Sequence, residues 1–125
     1  MSHGQCDVTC VSGHGIGAYL EVHEGPILVR MKNSEPGGFR PGMFFSDEPG
    51  YYQEGDWGLR LETILRVVSA DLPDYGYGDF IKFEPVTLVP FEPKLIDFSL
   101  MNIRQIEWYN EYNALIREKV GPRYG

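Results

Sequence analysis

The sequence predicts an α+β domain in which a curved antiparallel sheet is followed by one C-terminal helix. Three observations carry that prediction. Gly and Pro punctuate the first half heavily, as strands and tight loops require. Gly58 to Val68 alternates strictly, with Leu59, Leu61, Thr63, Leu65 and Val67 on one face and Arg60, Glu62, Ile64 and Arg66 on the other. Beyond Ser99, apolar residues recur at helical spacing through Leu100, Ile103, Ile106, Tyr109, Leu115 and Ile116.

Taken in order, Ala18 to His23 alternates as a strand, with Tyr19, Glu21 and His23 facing one way, and Gly25-Pro26 is expected to end it beside His23. After a turn-rich stretch from Lys32 to Gly42, Met43 to Glu48 reads as a short strand stopped by Pro49-Gly50, with Glu48 at its end. Gly55 and Gly58 within YYQEGDWG suit a hairpin connection. Glu48 and Glu62 are therefore expected on adjacent antiparallel strands, where two carboxylates can share a cation. Asp71 to Asp79 is polar and reads as a surface loop, and Ile81 to Pro90 follows as a strand that Pro85 and Pro90 confine to an edge. Ser99 is expected to cap a helix over about residues 99–119, whose Trp108, Tyr109 and Tyr112 serve packing or an oligomer surface.

At 125 residues the chain is one domain's worth of protein. Its net charge of −7 comes with no Lys/Arg run, so nucleic acid and anionic membrane are excluded as expected partners. No apolar run approaches the roughly 20 residues that span a bilayer. The opening MSHGQCDV has no signal-peptide core, and a cytoplasmic, soluble protein is expected. Cys6 and Cys10 are too sparse for a disulfide framework. With His14 they are spaced by four and on a helix could hold zinc, but Gly13 and Gly15 break that helix and no fourth ligand is evident.

The chemistry-bearing residues lie in four separate segments: His14 in GHGIG, His23 in VHEGP, Glu48 in SDEPGYY and Glu62 in GLRLET. One imidazole and two carboxylates make a mixed nitrogen and oxygen donor set suited to a hard or borderline divalent ion such as manganese. A metal-dependent hydrolytic site is the leading expectation. Each residue also has a plainer reading. His14 is then a loop residue, His23 a hydrogen-bonded strand end, Glu48 a solvated strand end, and Glu62 with Arg60 a surface ion pair of little energetic worth.

Together, GHGIGAYLEVHEGP, SDEPGYYQEGDWGLRLET and FEPVTLVPFEPKLID resemble the C-terminal part of the catalytic domain of eukaryotic Xaa-Pro aminopeptidase, or aminopeptidase P, over about residues 13–97, and the last helix also fits. The resemblance implies the C-terminal half of a pita-bread metallopeptidase fold. It also implies a peptide substrate with proline at its second position, whose N-terminal residue is removed with the help of two manganese ions. On this resemblance His14 looks like the imidazole ligand, Glu48 like a carboxylate ligand of the same ion, Glu62 like the carboxylate bridging both ions, and His23 like the proton-shuttling histidine. Arg60 and Tyr52 fall at family positions that line the substrate pocket or support the ligands, and Cys10 stands where the family usually has a further histidine.

Two aspartates that complete the family's ligand set lie well upstream of the ligand histidine, and no residue here matches them. Asp7 is too near, while Asp71, Asp74 and Asp79 follow the motifs rather than precede them. The expectation is a C-terminal fragment, or one subunit of a split enzyme, whose partner is the missing N-terminal part. Alone it should be inactive, and an uncovered sheet edge should favour a homodimer. The alternative is a non-catalytic pita-bread module that binds peptides or proteins.

Overall fold

The computed structural model describes residues 12–29, 38–73, 76 and 78–123, so Cys6, Cys10, Asp7 and Asp74 lie outside the described residues. Two compact units divide at Thr87 and Leu88. The first contains strands β1 (Gly13–Ile16), β2 (Glu24–Val29), β3 (Phe44–Asp47), β4 (Gly50–Tyr52), β5 (Gly58–Arg60), β6 (Thr63–Ser69) and β7 (Ile81–Pro85). Five of these form an antiparallel sheet in the order β2-β1-β3-β6-β7, while β4 and β5 form a separate two-stranded ribbon.

Apolar burial holds this sheet together. Ile27, Phe45 and Val67 are buried, with Val29, Phe39, Met43, Leu65 and Ile81 packed around them. The rings of Phe39, Phe45 and Phe83 meet pairwise at 4.5, 5.2 and 5.1 Å between centroids, the tilted and edge-on geometry that aromatic quadrupoles favour. Phe45 faces this cluster from β3, so its neighbours in the chain point the other way. Ser46 and Glu48 share that other side, which orients β3 for the site.

The strand expected at Ala18 to His23 is not formed. Gly17 and Glu21 close a turn instead, with the Gly17 N–H donating to Glu21 O at 2.8 Å. Tyr19 and Leu20 adopt positive φ of 55° and 72°, and their side chains are almost fully exposed. Alternation without burial gave those apolar residues no sheet face to occupy. The reversal lets β2 return antiparallel to β1, so Gly25-Pro26 lies inside β2 rather than ending a strand. Because β2 is an edge strand, Pro26 can be accommodated without removing an interior ladder bond.

Gly58 to Val68 is likewise not one strand but two, β5 and β6, broken at Leu61-Glu62. The partner segment breaks opposite, at Glu48-Pro49, because Pro49 has no N–H for the ladder. Register nevertheless survives: Asp47 pairs Thr63 before the break and Gly50 pairs Arg60 after it, which sets Glu48 opposite Glu62. The hairpin ends in a tight turn, with the Gln53 N–H donating to Trp57 O at 2.7 Å and Gly55 at a φ of 73°. The β7 strand stops at Pro85 and occupies the other edge of the sheet. Just beyond it the Val86 N–H still donates to Ile64 O of β6 at 2.8 Å, but the expected strand extension over residues 86–90 is not formed.

The second unit holds helix α1 (Ile103–Lys119). Asn102, not Ser99, caps it: the Asn102 side chain accepts from the Gln105 N–H while the Gln105 side chain accepts from the Asn102 N–H, a reciprocal capping box. Ser99 instead lies in a short 3₁₀ turn capped by Asp97. The buried helix positions are Tyr112 and Ile116, with Ile106, Tyr109 and Leu115 half-buried, whereas Leu100 and Ile103 are exposed, so the expected stripe holds from Ile106 onward and loses its N-terminal end. Trp108 stacks on Tyr112 with centroids 5.4 Å apart and an interplanar angle of 4°, and Phe91 contacts both rings. The Tyr112 hydroxyl donates to Val89 O at 3.1 Å.

Candidate metal centre

Glycine sets the geometry at the start of β1. A Cβ at Gly13 would collide with Ser46 O and sit 2.9 Å from Val29 Cγ2, and one at Gly15 would collide with Glu24 O. Only glycine lets β1 run this close to both neighbours. Between them the β1–β2 register slips at His14/Gly15, and such an irregularity re-aims a side chain. It delivers the His14 imidazole to Glu48, with Nε2 3.3 Å from Oε1.

The contacts around that pair define its chemistry. His14 Nδ1 lies 2.9 Å from Gly15 O. A carbonyl only accepts, so Nδ1 carries the proton and Nε2 is the nitrogen turned toward Glu48. A bare imidazole nitrogen facing a carboxylate oxygen sets two electron-rich atoms against each other, and a proton or a cation is what fits between them. Glu48 is buried, with its second oxygen, Oε2, 2.9 Å from the Arg60 guanidinium. Arg60 Nε in turn donates to the Tyr52 hydroxyl at 2.8 Å. That hydrogen bond, with the negative charge of Glu48 and Glu62, raises the Arg60 pKa further above its basic range.

The candidate residues therefore separate into those the fold joins and those it does not. His14, Glu48, Arg60 and Tyr52 form one chain of contacts, and the His23 ring lies 4.2 Å from the His14 ring, centroid to centroid. Glu62 is exposed and opposite Glu48 in register, close enough to influence Arg60 electrostatically. Cys10 lies outside the described residues. Among the described residues, no three His, Cys, Asp or Glu side chains are grouped to hold an ion. The donors fit one side of a cation, with the His14 tautomer fixed from behind as metal-binding imidazoles are. They do not make a closed cage.

Three further features of the surroundings are ones that sequence reasoning misses. Ser46 is fully buried between the two donors: its hydroxyl accepts from the His14 N–H at 3.0 Å and donates to Glu48 Oε1 at 2.9 Å. The signal was present, since Ser and Glu two apart on a strand share a face. Beside them, burial raises the Asp47 carboxyl above the usual carboxylate range. Thr63 Oγ1 is buried without a hydrogen-bond partner among the described residues.

Comparison with known proteins supplies the family. Residues 2–69 match the family model described as metallopeptidase family M24, and residues 79–124 match the one described as the C-terminal region of peptidase M24. Xaa-Pro aminopeptidase 2 of Sus scrofa is 48% identical over 111 residues, covering 89% of this chain and 16% of that protein. Aminopeptidase P2 of Arabidopsis thaliana is 38% identical over 112 residues, covering 89% and 16%. The chain thus spans about a sixth of the length of these relatives.

Among solved structures, X-prolyl aminopeptidase of Caenorhabditis elegans, described as a cytosolic enzyme with a di-nuclear active site, matches with a TM-score of 0.78 and 33% identity over 90% of this chain and 18% of that one. The antiparallel sheet followed by a helix is accordingly the C-terminal part of the pita-bread fold, in the α+β class. With one family model covering more than half of the residues and its companion most of the rest, the chain belongs to metallopeptidase family M24.

Proposed function

We propose that this chain supplies the His14, Glu48 and Glu62 side of the metal centre in a cytosolic, manganese-dependent Xaa-Pro aminopeptidase, and that by itself it does not turn over peptide. The observation that supports this most is His14 Nε2 facing Glu48 Oε1 at 3.3 Å with Nδ1 occupied by Gly15 O. Relatives named Xaa-Pro aminopeptidases and a neighbour described as di-nuclear support the substrate class and the pair of ions. Manganese suits a site of one imidazole and carboxylates with no thiolate.

Two cations, when bound, would lower the pKa of water and stabilise negative charge on the scissile carbonyl oxygen. The chain's own residues do the rest. His14 presents a fixed nitrogen lone pair, and Glu48 presents a desolvated carboxylate whose position is held from both oxygens. Glu62, opposite Glu48, is free to turn toward a second ion. His23, against the His14 ring, holds or passes a proton at the substrate. Arg60 and Tyr52 form a polar wall on which a peptide can be oriented. The partners in this reading are a peptide with proline at its second position and the remaining part of the enzyme, and the two sheet edges at β2 and β7 favour a homodimer.

One observation favours a second reading, a pita-bread module that binds peptides without catalysis: Arg60 already pairs with the Glu48 oxygen at 2.9 Å, in a way that needs no metal. Release of the N-terminal residue from an Xaa-Pro peptide with Mn²⁺ separates the two. The chain alone is expected to show none, while the protein of its complete reading frame is expected to be active and to lose that activity in His14→Ala. Turnover by the chain alone would refute its incompleteness. An inactive complete protein, or one indifferent to His14→Ala, would favour the binding module.

A further inference from the structure

We infer that Ser46 is a positioning residue that locks His14 and Glu48 into one rigid donor pair, an inference that rests on the metal-binding reading of those two residues. At the junction of β1 and β3, where the registered pairing stops at Gly15↔Phe45, the His14 N–H donates to Ser46 Oγ at 3.0 Å. On either side, backbone pairing is ordinary, from Gly15↔Phe45 to the Glu48 N–H donating to Ser12 O at 2.8 Å. The Ser46 hydroxyl therefore takes over one rung of the ladder at the residue where β1 is irregular.

A hydroxyl has a single proton. While one lone pair of the oxygen accepts from the His14 N–H, that proton has two acceptors in reach, Glu48 Oε1 at 2.9 Å and His14 O at 3.5 Å. The shorter distance and the negative charge direct it to Glu48, and a hydrogen bond to a charged acceptor is about twice as strong as a neutral one. One side chain thus fixes the backbone under the imidazole and the carboxylate opposite it. Ser46 has 0% exposure, so water cannot replace the bond. Arg60 holds Oε2 from the far side, leaving the His14-facing edge of Oε1 as the direction open to a cation.

A residue that only filled space in the core would affect folding but not this pair. The test uses the 125-residue chain with Mn²⁺ alone as the probe. Paramagnetic broadening of the His14 ring resonances reads even millimolar affinity, and core methyl signals of Ile27 and Val67 report the fold. Ser46→Ala is expected to weaken Mn²⁺ binding about 10- to 100-fold, the range found for groups that orient ligands. Ser46→Thr keeps the donor and is expected to restore binding. Ser46→Cys, similar in size but a weak donor, should fall between them.

Hydrogen exchange supplies a measurement that needs neither metal nor a variant that folds poorly: in the unmodified chain the His14 amide is expected to be protected as well as its ladder-paired neighbours. Unchanged Mn²⁺ affinity in a natively folded Ser46→Ala, or an unprotected His14 amide, would overturn the role of Ser46. Absence of His14 broadening in the unmodified chain would instead overturn the metal-binding reading, and this inference with it. Binding that depends on Ser46 only through loss of the core methyl signals would assign it to packing and overturn the proposal.

Discussion

Gly13→Ala should damage the candidate centre without removing any of its donors. The added Cβ would overlap the Ser46 carbonyl oxygen and stand 2.9 Å from Val29 Cγ2. A carbon-to-oxygen contact needs roughly 3.3 Å or more, and the obstructing atom is backbone of a central strand, so it cannot turn aside as a flexible side chain would. Relief requires β1 and β3 to separate by about 1 Å, about twice the roughly 0.5 Å tolerance of a working ligand set. It also breaks the His14 N–H bond to Ser46 and opens the 3.3 Å gap between His14 and Glu48.

Backbone overpacking of this kind costs about 3 kcal/mol at the upper end of the usual range. With a urea m-value of about 2 kcal/mol per molar, the unfolding midpoint should fall by about 1.5 M. Gly38→Ala is the control, because a Cβ there meets nothing within 4 Å, and it should remain within about 0.5 kcal/mol of the parent chain. Urea titration of both variants, followed by His14 ring broadening with Mn²⁺, checks stability and geometry together. A Gly13→Ala chain with a parental midpoint and parental broadening would refute the close-packing argument.

Other consequences are open to measurement. Thr63→Val replaces a buried hydroxyl that lacks a partner by a group of the same shape, and should stabilise the chain by about 1 kcal/mol, read as a rise in the urea midpoint; a fall would show that the hydroxyl is engaged. Asn102→Ala removes the cap of α1 and should lower stability by about 1 kcal/mol, whereas Ser99→Ala should change it by less than about half of that; circular dichroism melts rank the two. Arg66 hydrogen-bonds Glu84 and lowers its pKa. Its contribution to stability is therefore complete above the ordinary carboxylate range near about pH 4.3 and disappears as pH falls through the lower, folded value. The stability difference between the parent and Glu84→Gln should shrink between pH 7 and pH 3, and a difference independent of pH would rule out the pair as its source.

How far the sequence reveals the fold depends on whether a local pattern has one physical outcome. Two glycines around Asp56 and Trp57 require a tight turn, so the opposition of Glu48 and Glu62 follows from counting outward along the hairpin. Pro49 also explains the break in that hairpin, although alternation from Gly58 to Val68 hides it, since a period of two continues across an interruption whose register is kept. Alternation misleads again at Ala18 to His23, because it reports which residues could face together and not whether a sheet is there to receive them. The competition between Ser99 and Asn102 turns on Gln105, whose side chain closes the box on Asn102 alone. His14 and Glu48 stand out by residue type. Their approach to each other depends on an irregularity in β1, which has no periodic signature, and on the Ser46 hydroxyl, whose place on the face of Glu48 follows from the period of two but whose bond to the His14 N–H does not.

The central claim is that His14 and Glu48 together form one side of a cation site. Crystals of the chain soaked in Mn²⁺ at high concentration test it most directly through anomalous scattering. The expected result is a peak within the coordination range of about 2.0–2.6 Å from both His14 Nε2 and a Glu48 carboxylate oxygen, absent in Glu48→Gln. A native lattice with no peak there, or a peak bound elsewhere while His14 and Glu48 keep their contact, would contradict the account.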